Sequence, residues 1–289
     1  MSGVTVRKVV IPAAGLGTRC LPLTKAIPKE LLPIFDRPAL EVVVDEARAS
    51  GIDTLVLITG AGKSAIENHF DRIPALEDKL RGQSALLDSV TRQATGLSVV
   101  SIRQGAPLGL GHAVGCAQPA IGDAPFAVML PDDLIVGPHG PTLRRLIDVF
   151  EATGRGVVLL MEVPRDKTQR YGVVAGQRQA DGTIRIEALV EKPRPEEAPS
   201  NLAIVGRYVF PPSLFKKIAA TASGALGEVQ LTDAMRLLAQ DEGLIGVTVD
   251  AKWLDTGNPL GLLMANLEFA CSLDPAAREA VRAFARTLD

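Results

Sequence analysis

Short apolar runs rich in β-branched residues alternate with longer amphipathic stretches through the first half of the chain. Such runs are typical of buried strands, and apolar positions that recur every three to four residues are typical of helices. The pattern predicts strands at residues 8–12, 54–59, 98–103, 126–130 and 156–163. It predicts helices at residues 39–50, 63–70, 109–117 and 141–152. Because strands and helices alternate, we expect βαβ units on a largely parallel sheet.

The pattern changes after Tyr171. Two strand-like segments, residues 172–175 and 183–190, flank Asp181-Gly182, a dipeptide typical of β-hairpin turns. A further strand is predicted at residues 201–210, and helices are predicted at residues 230–239, 259–270 and 275–286. We find neither repeats nor a long linker, so we expect one mixed α/β domain with helices at its C-terminal end.

Composition and charge narrow the possible partners. The formal net charge is −2 without long runs of like charge, which argues against a nucleic-acid or membrane partner. Three cysteines, an odd number without metal-type spacing, favour a reducing cytoplasm over a disulfide framework. His69, His112 and His139 also lack metal-type spacing, so we expect them to be structural or solvent-facing.

The loop after the first predicted strand combines small residues with a cation. Ala13, Ala14, Gly15 and Gly17 lack bulk, so their backbone N–H groups could approach and cradle phosphates. Arg19 would then offer a charged fork to phosphate oxygens. Alone, such a loop is weak evidence, because tight packing explains many glycine-rich turns.

Two other nucleotide-binding patterns fail at single positions. A dinucleotide fingerprint requires a glycine where Cys20 stands, which disfavours a nicotinamide-dependent oxidoreductase. A P-loop that ends at Lys63-Ser64 requires a glycine where Leu57 stands. Lys63 and Ser64 are therefore predicted to open a helix, with Ser64 or a neighbour near its cap.

Residues 15–33 extend the glycine loop into Lys25-Ala-Ile-Pro-Lys29-Glu30, and this stretch resembles the signature of the sugar nucleotidylyltransferases. The Lys-Ala-Ile-Pro-Lys-Glu form is similar to that of bacterial glucose-1-phosphate uridylyltransferases. Residues 253–257 are closer to the thymidylyl relatives. Further family-like segments follow in the family's order at residues 66–71, 103–105, 109–113, 130–133, 171–173, 190–193, 200–208, 228–233 and 254–258.

The resemblance implies one domain with a Rossmann-like, mixed but mostly parallel sheet flanked by helices, as in nucleotide-diphospho-sugar transferases. Its nucleotide-binding part would span about residues 1–165, a small β sugar-binding part about 166–258, and C-terminal helices about 259–289. The implied reaction is Mg²⁺-dependent transfer of UMP from UTP to glucose 1-phosphate by a homodimer or homotetramer. A thymidylyltransferase and a non-catalytic sugar-nucleotide-binding protein remain alternatives.

The resemblance also assigns roles to individual residues. The nucleotide would contact Ala13, Ala14, Gly15, Gly17, Glu30, Gln104, Gly109 and Asp133. The catalytic positions would be Arg19, Lys29, Asp132 and Lys192. The sugar would contact Gly172, Glu191, Ile204 and Gly206. The metal ion would be held by Asp132 and Asp255.

Several of these assignments have plain structural alternatives. The amide of Gln104 can donate and accept, which suits a pyrimidine edge, but it could also be a surface amide. Glu30 could lie near the base or ribose, or be an exposed carboxylate at a helix start. Asp133 could cap a turn. Residues 228–233 are as typical of a helix cap as of a binding segment. Only the resemblance brings Asp255 to Asp132.

Overall fold

The computed structural model describes residues 5–222 and 227–288. The strands are β1 (Lys8–Pro12), β2 (Pro33–Ile34), β3 (Arg37–Pro38), β4 (Thr54–Thr59), β5 (Ser98–Arg103), β6 (Phe126–Met129), β7 (Asp133–Val136), β8 (Gly156–Glu162), β9 (Gly172–Arg178), β10 (Ile184–Glu191), β11 (Leu202–Phe210), β12 (Leu244–Thr248) and β13 (Lys252–Asp255). The helices are α1 (Ala39–Ala49), α2 (Ser64–Asn68), α3 (Pro74–Lys79), α4 (Ser84–Thr91), α5 (Leu110–Cys116), α6 (Gln118–Ile121), α7 (Thr142–Thr153), α8 (Leu214–Ala220), α9 (Leu231–Asp241), α10 (Pro259–Leu273) and α11 (Pro275–Ala285). Five 3-10 turns lie at Thr18–Cys20, Leu23–Lys25, Lys29–Leu31, Arg92–Ala94 and Arg165–Arg170.

Nine of the described strands form one sheet in the order β5-β4-β1-β6-β11-β8-β12-β10-β9. The strands β5, β4, β1 and β6 run parallel, as does the pair β8 and β12. The strand β11 is antiparallel to β6, β8 and β9, and β10 is antiparallel to β12 and β9. The predicted mixed α/β fold is confirmed. Its N-terminal half is parallel, and its second half is mostly antiparallel because β10 and β11 run opposite to the strands beside them.

Two hydrophobic cores lie on the two faces of this sheet. Along β1, Val9 and Ile11 point into the core under α1 and α7, whereas Val10 points into the core under α5, α8 and α9. A parallel strand that is buried on both faces has a continuous apolar run rather than an alternating one. The sequence predicted the bounds of β1 and β4 correctly for this reason, and it also predicted those of β5, an edge strand that is mostly exposed. It missed β2, β3, β7, β12 and β13 and the helices α6 and α8. It also missed α3 and α4, which contain no buried residue.

The strand β11 contains a buried arginine. Its pairing with β8 is irregular between Ile204 and Tyr208, and Arg207 lies within this stretch. The side chain of Arg207 is 1% exposed and pairs with Glu46 of α1 at 2.7 Å. Its Nη1 also donates to the carbonyl oxygen of Gly206 at 3.2 Å. This ion pair ties α1 to the strand that lies behind the candidate site.

The C-terminal helices α10 and α11 form as predicted. The helix α10 buries only Ala265 and Ala270, while Leu260, Leu263 and Met264 are at least half exposed. None of the helices in residues 5–222 and 227–288 is long and apolar enough to cross a membrane. The three cysteines are free.

Candidate active site

A cleft of about 810 Å³ opens beside the loops that follow β1, β5 and β6. Ligands of open α/β sheets bind at this edge, outside the carboxyl ends of the parallel strands. Most of the predicted site residues line the cleft, namely Ala14, Gly15, Gly17, Arg19, Lys29, Gln104, Gly109, Asp132, Asp133, Gly172, Glu191, Lys192, Ile204 and Asp255. The fold thus brings together residues from the two halves of the chain.

Three predicted site residues lie behind the cleft wall. The N–H group of Ala13 donates to the carbonyl oxygen of Ile58 at 2.8 Å, so this amide is not free to cradle a ligand. Gly206 adopts φ 29°, and a Cβ there would lie only 2.5 Å from the Cβ of Asp133. Only a glycine therefore leaves room for the side chain of Asp133. Glu30 is 1% exposed, and the alternative of an exposed carboxylate is therefore wrong.

Glu30 forms a buried ion pair that the sequence did not predict. Its Oε2 lies 2.7 Å from the ammonium of Lys63, which directly precedes α2. Burial raises the pKa of Glu30 despite this cation. The pair joins the loop after β4 to the 3-10 turn that carries Lys29. Lys63 and Ser64 open a helix as predicted, because Lys63 is the N-cap residue of α2 and Ser64 its first residue, although no side chain caps the helix.

Lys29 and Asp132 form the central contact of the cleft. The ammonium of Lys29 lies 2.5 Å from Asp132 Oδ2, and both side chains are 18% exposed. Burial opposes ionisation of Asp132, but the charge of Lys29 and its hydrogen bond keep the pKa of Asp132 below the usual value. Burial likewise opposes the charge of Lys29, and Asp132 outweighs it, so the pKa of Lys29 is raised. Both groups stay charged in the free protein.

Three aspartates meet at one side of this contact. The antiparallel pairing of β13 with β7 places Asp255 opposite Asp133, and the backbone N–H of Thr256 donates to the carbonyl oxygen of Asp132 at 2.8 Å. A Cβ on Gly257 would lie 2.7 Å from Asp132 Oδ2 and 3.0 Å from Asp255 Oδ1. The two predicted metal ligands therefore face each other across the bare Cα of Gly257.

Asp133 does not cap a turn. It begins β7, and its carboxylate accepts a hydrogen bond from Trp253 Nε1 at 2.7 Å. Burial, together with the negative charges of Asp132 and Asp255, raises the pKa of Asp133 to about 7. The surroundings of Asp133 thus disfavour an added negative charge and favour a cation.

The donor atoms of Asp132 and Asp255 fit a hard divalent cation. Mg²⁺ prefers carboxylate oxygens and keeps several water or phosphate oxygens among its ligands. Among the described residues, no group of three or more histidine, cysteine or acidic side chains is arranged to hold a metal ion. The two carboxylates would therefore form only part of a coordination sphere, and substrate oxygens and water would complete it.

Another part of the cleft presents hydroxyl and carboxylate groups. Thr232 Oγ1 donates to Glu191 Oε2 at 2.6 Å, and Glu191 Oε1 lies 3.2 Å from Lys192 Nζ. Gly172 leaves room here, because a Cβ would lie 3.3 Å from both Glu191 and Thr232. Lys192 adopts φ 47°, an uncommon conformation for a residue with a side chain, and such outliers cluster at functional sites.

Some cleft residues were not predicted. Arg170 Nη2 lies 3.0 Å from Asp255 Oδ2, and its guanidinium lies 5.6 Å from the centre of the Tyr171 ring. Arg170 directly precedes the family-like segment at residues 171–173, which was the available signal. Residues 228–233 contain the start of α9, with Gln230 as the N-cap residue but without a side-chain cap bond. Four residues of the same segment, including Thr232, also line the cleft.

Gln104 and Gly109 line a third part of the cleft. Gln104 is only 8% exposed, which excludes the alternative of a surface amide. Gly109 adopts φ 95°, and a Cβ there would lie 2.8 Å from the carbonyl oxygen of Val229, so only glycine fits. The N–H group of Val229 in turn donates to the carbonyl oxygen of Leu108 at 2.8 Å.

Comparisons with known proteins agree with this geometry. The family model described as Nucleotidyl transferase matches residues 8–271, a range that contains every residue lining the cleft. The UTP–glucose-1-phosphate uridylyltransferase of Bacillus subtilis (strain 168) is 45% identical over 267 residues, which cover 92% of this chain and 91% of that protein. The predicted resemblance to bacterial uridylyltransferases is confirmed.

The fold is also similar to solved structures of UDP-glucose pyrophosphorylases. A UDP-glucose pyrophosphorylase from Acinetobacter baumannii superimposes with a TM-score of 0.89 at 37% identity, covering 98% of this chain and 100% of that one. A UTP-bound UGPase from Acinetobacter baumannii gives a TM-score of 0.88 at 37% identity, covering 97% and 99% of the two chains. Taken with the family match over most of its length, these similarities show that the chain belongs to the nucleotidyl transferase family.

Proposed function

We propose that this chain transfers UMP from UTP to glucose 1-phosphate, giving UDP-glucose and pyrophosphate. The observation that carries this proposal is the 45% identity to a uridylyltransferase over a range that includes the whole cleft. The cleft supports it because its lining includes cations such as Arg19 and Lys29, which suit phosphates, and polar groups such as Glu191, which suit a sugar. The volume of about 810 Å³ lies within the usual range for small-molecule sites.

The proposed reaction needs no general base. A sugar phosphate is largely dianionic at neutral pH, because its second pKa is about 6. One of its oxygens attacks the α-phosphorus of UTP, and the bond from that phosphorus to the bridging oxygen breaks. Pyrophosphate leaves with the electron pair. Catalysis then consists of aligning two anions that repel each other and of stabilising charge on the phosphoryl oxygens.

We assign the phosphate, sugar and base contacts to different residues of the cleft. Lys29 and Arg19 are assigned to the α-phosphate, and Lys192 to the phosphate of the sugar. Glu191, oriented by Thr232, is assigned to sugar hydroxyls, because a carboxylate accepts hydrogen bonds from them. Gln104 and Gly109 are assigned to the uracil. The close ion pair of Lys29 with Asp132 supports the phosphate assignment, since it keeps the ammonium inside the cleft.

We assign Asp132 and Asp255 to the holding of Mg²⁺. When bound, the ion supplies positive charge that neutralises phosphate oxygens. Asp255 is already oriented, because its Oδ1 accepts from the N–H group of Gly257 at 3.0 Å and its Oδ2 pairs with Arg170. Asp132 is oriented by Lys29.

The proposed function is tested by pyrophosphate release with glucose 1-phosphate and Mg²⁺, with UTP, dTTP, ATP, CTP and GTP assayed in parallel. A clear preference for UTP is the expected result. A preference for dTTP would make the chain a thymidylyltransferase with the same cleft. If every nucleotide is inactive while the protein binds UDP-glucose, the chain is a binding protein and the proposal fails.

Replacing Gly257 with alanine is expected to lower turnover about tenfold, because the new methyl group would push apart the carboxylates of Asp132 and Asp255. The Mg²⁺ concentration for half-maximal turnover should rise, whereas UTP binding measured in EDTA should not change. Kinetics at varied Mg²⁺ and calorimetry in EDTA measure the two effects. If the Mg²⁺ dependence of a folded Gly257→Ala variant equals that of the wild type, the metal assignment is wrong.

We further propose a homodimer or homotetramer in the cytoplasm. The half-exposed side chains Leu260, Leu263 and Met264 of α10 support self-association, because a helix that is apolar on all sides is usually buried. The three free cysteines support a reducing compartment. Light scattering coupled to size-exclusion chromatography measures the oligomeric state, and a monomer at all concentrations would contradict this proposal.

A further inference from the structure

The amide nitrogen of Gln104 lies within hydrogen-bond distance of two neighbouring groups. Its Nε2 lies 3.2 Å from the carbonyl oxygen of Gly109 and 2.9 Å from His112 Nδ1. A carbonyl oxygen only accepts hydrogen bonds, so the nitrogen of the amide must face Gly109. Both N–H bonds of the amide are then used. Within residues 5–222 and 227–288, nothing donates a hydrogen bond to Gln104 Oε1.

His112 lies on α5, half-buried, behind Gln104 and outside the cleft lining. The second N–H bond of the Gln104 amide can end on His112 only if Nδ1 carries no proton, which places the ring proton on Nε2. Cys116, one turn along α5, approaches the same nitrogen at 4.0 Å and does not touch Gln104.

We infer that His112 is a positioning residue that fixes the amide of Gln104 with its oxygen toward the nucleobase, and thereby selects UTP against CTP. This inference rests on the proposed use of a uridine nucleotide. His112 itself does not touch the base. This positioning role goes beyond the expectation from the sequence that His112 is structural or solvent-facing.

The chemistry of the two bases explains the selection. Uracil and thymine carry N3–H, a donor that matches a fixed amide oxygen, whereas N3 of cytosine is an acceptor. To meet cytosine N3 with its N–H group, Gln104 would have to rotate its amide and lose the hydrogen bonds to Gly109 and His112. A site discriminates strongly against a substrate that leaves buried polar groups of the site without hydrogen-bond partners.

The test is the ratio of kcat/KM for UTP over CTP in His112→Phe, which keeps a ring of similar size but removes the acceptor. We expect this ratio to fall about tenfold, the value of roughly one hydrogen bond. The ratio of UTP to dTTP should stay within about twofold, because both bases carry N3–H. His112→Asn, whose side-chain oxygen can accept from Gln104, should restore much of the UTP preference.

Cys116→Ala is the matched control on the same helix and should leave both ratios unchanged. If His112→Phe does not fold, His112→Ala is measured instead, and binding of UTP and CTP by calorimetry gives the same comparison without turnover. An unchanged UTP-to-CTP ratio in a folded variant of an active enzyme would overturn the inference. An equal loss of kcat/KM for UTP, dTTP and CTP is one form of that outcome, because a general structural role predicts it. Absence of wild-type activity with UTP would count against the proposed function instead.

Discussion

Replacing Asp132 with asparagine is expected to lower turnover at least about a hundredfold, which corresponds to ~3 kcal/mol of barrier. The substitution keeps the shape of the side chain but removes the charge that pairs with Lys29 at 2.5 Å. It also removes one of the two carboxylates that flank Gly257. Steady-state kinetics of pyrophosphate release at saturating UTP, glucose 1-phosphate and Mg²⁺ measure the effect.

Asp148→Asn serves as the control for this substitution. Asp148 pairs with Arg144 on α7, and its side chain is 63% exposed, so the same chemical change there should leave turnover unaltered. Thermal unfolding of both variants shows whether the fold is kept. Turnover of a folded Asp132→Asn variant within a few-fold of wild type would remove Asp132 from the catalytic residues.

Replacing Arg207 with methionine is expected to lower the free energy of unfolding by about 3 to 5 kcal/mol. Arg207 donates from Nε and Nη2 to Glu46 Oε2 at 3.0 and 2.7 Å, and methionine would leave this largely buried carboxylate without its cation. Glu46 would keep only the N–H group of Leu143, which donates to Oε1 at 2.9 Å. Urea unfolding followed by circular dichroism measures the change.

A second variant separates lost packing from unpaired charge. In Arg207→Met/Glu46→Gln the residue at position 46 is neutral and still accepts from Leu143, so we expect it to recover at least half of the lost stability. Arg7→Met is the exposed control, because Arg7 and Asp53 are 59% and 45% exposed, and it should cost less than about 1 kcal/mol. If Arg207→Met is no more destabilising than Arg7→Met, the buried pair does not stabilise the fold.

The sequence predicted the central strands β1, β4, β6 and β8 of the sheet because they are buried on both faces. Val9, Val10 and Ile11 belong to the two cores in turn, so β1 forms an unbroken apolar run between Lys8 and Pro12. The strands β7 and β13 lie outside this sheet. They are four residues each, and they pair only with each other at the edge of the cleft. The meeting of Asp132 with Asp255 therefore depends on a long-range pairing that local patterns do not encode.

Charged residues that are buried by a distant partner were equally hard to predict. Glu30 and Lys63 would each be expected at the surface, and only their mutual contact at 2.7 Å offsets the cost of burying them. The positions of Arg170 and Thr232 likewise follow from their partners Asp255 and Glu191. Composition and periodicity show which residue types are present, but they do not show which pairs the fold brings together.

The ion pair between Lys29 and Asp132 must separate before Lys29 can bind a phosphate of the substrate. A triphosphate that takes the ammonium of Lys29 leaves the carboxylate of Asp132 without a counter-ion in a largely buried position. A cation that arrives at Asp132 restores the balance, so anion and cation each make the other's binding more favourable. By thermodynamic reciprocity, the affinity for UTP rises with the divalent cation by the same factor as the affinity for the cation rises with UTP. The free cleft therefore favours binding of the triphosphate together with a divalent cation over binding of either one alone.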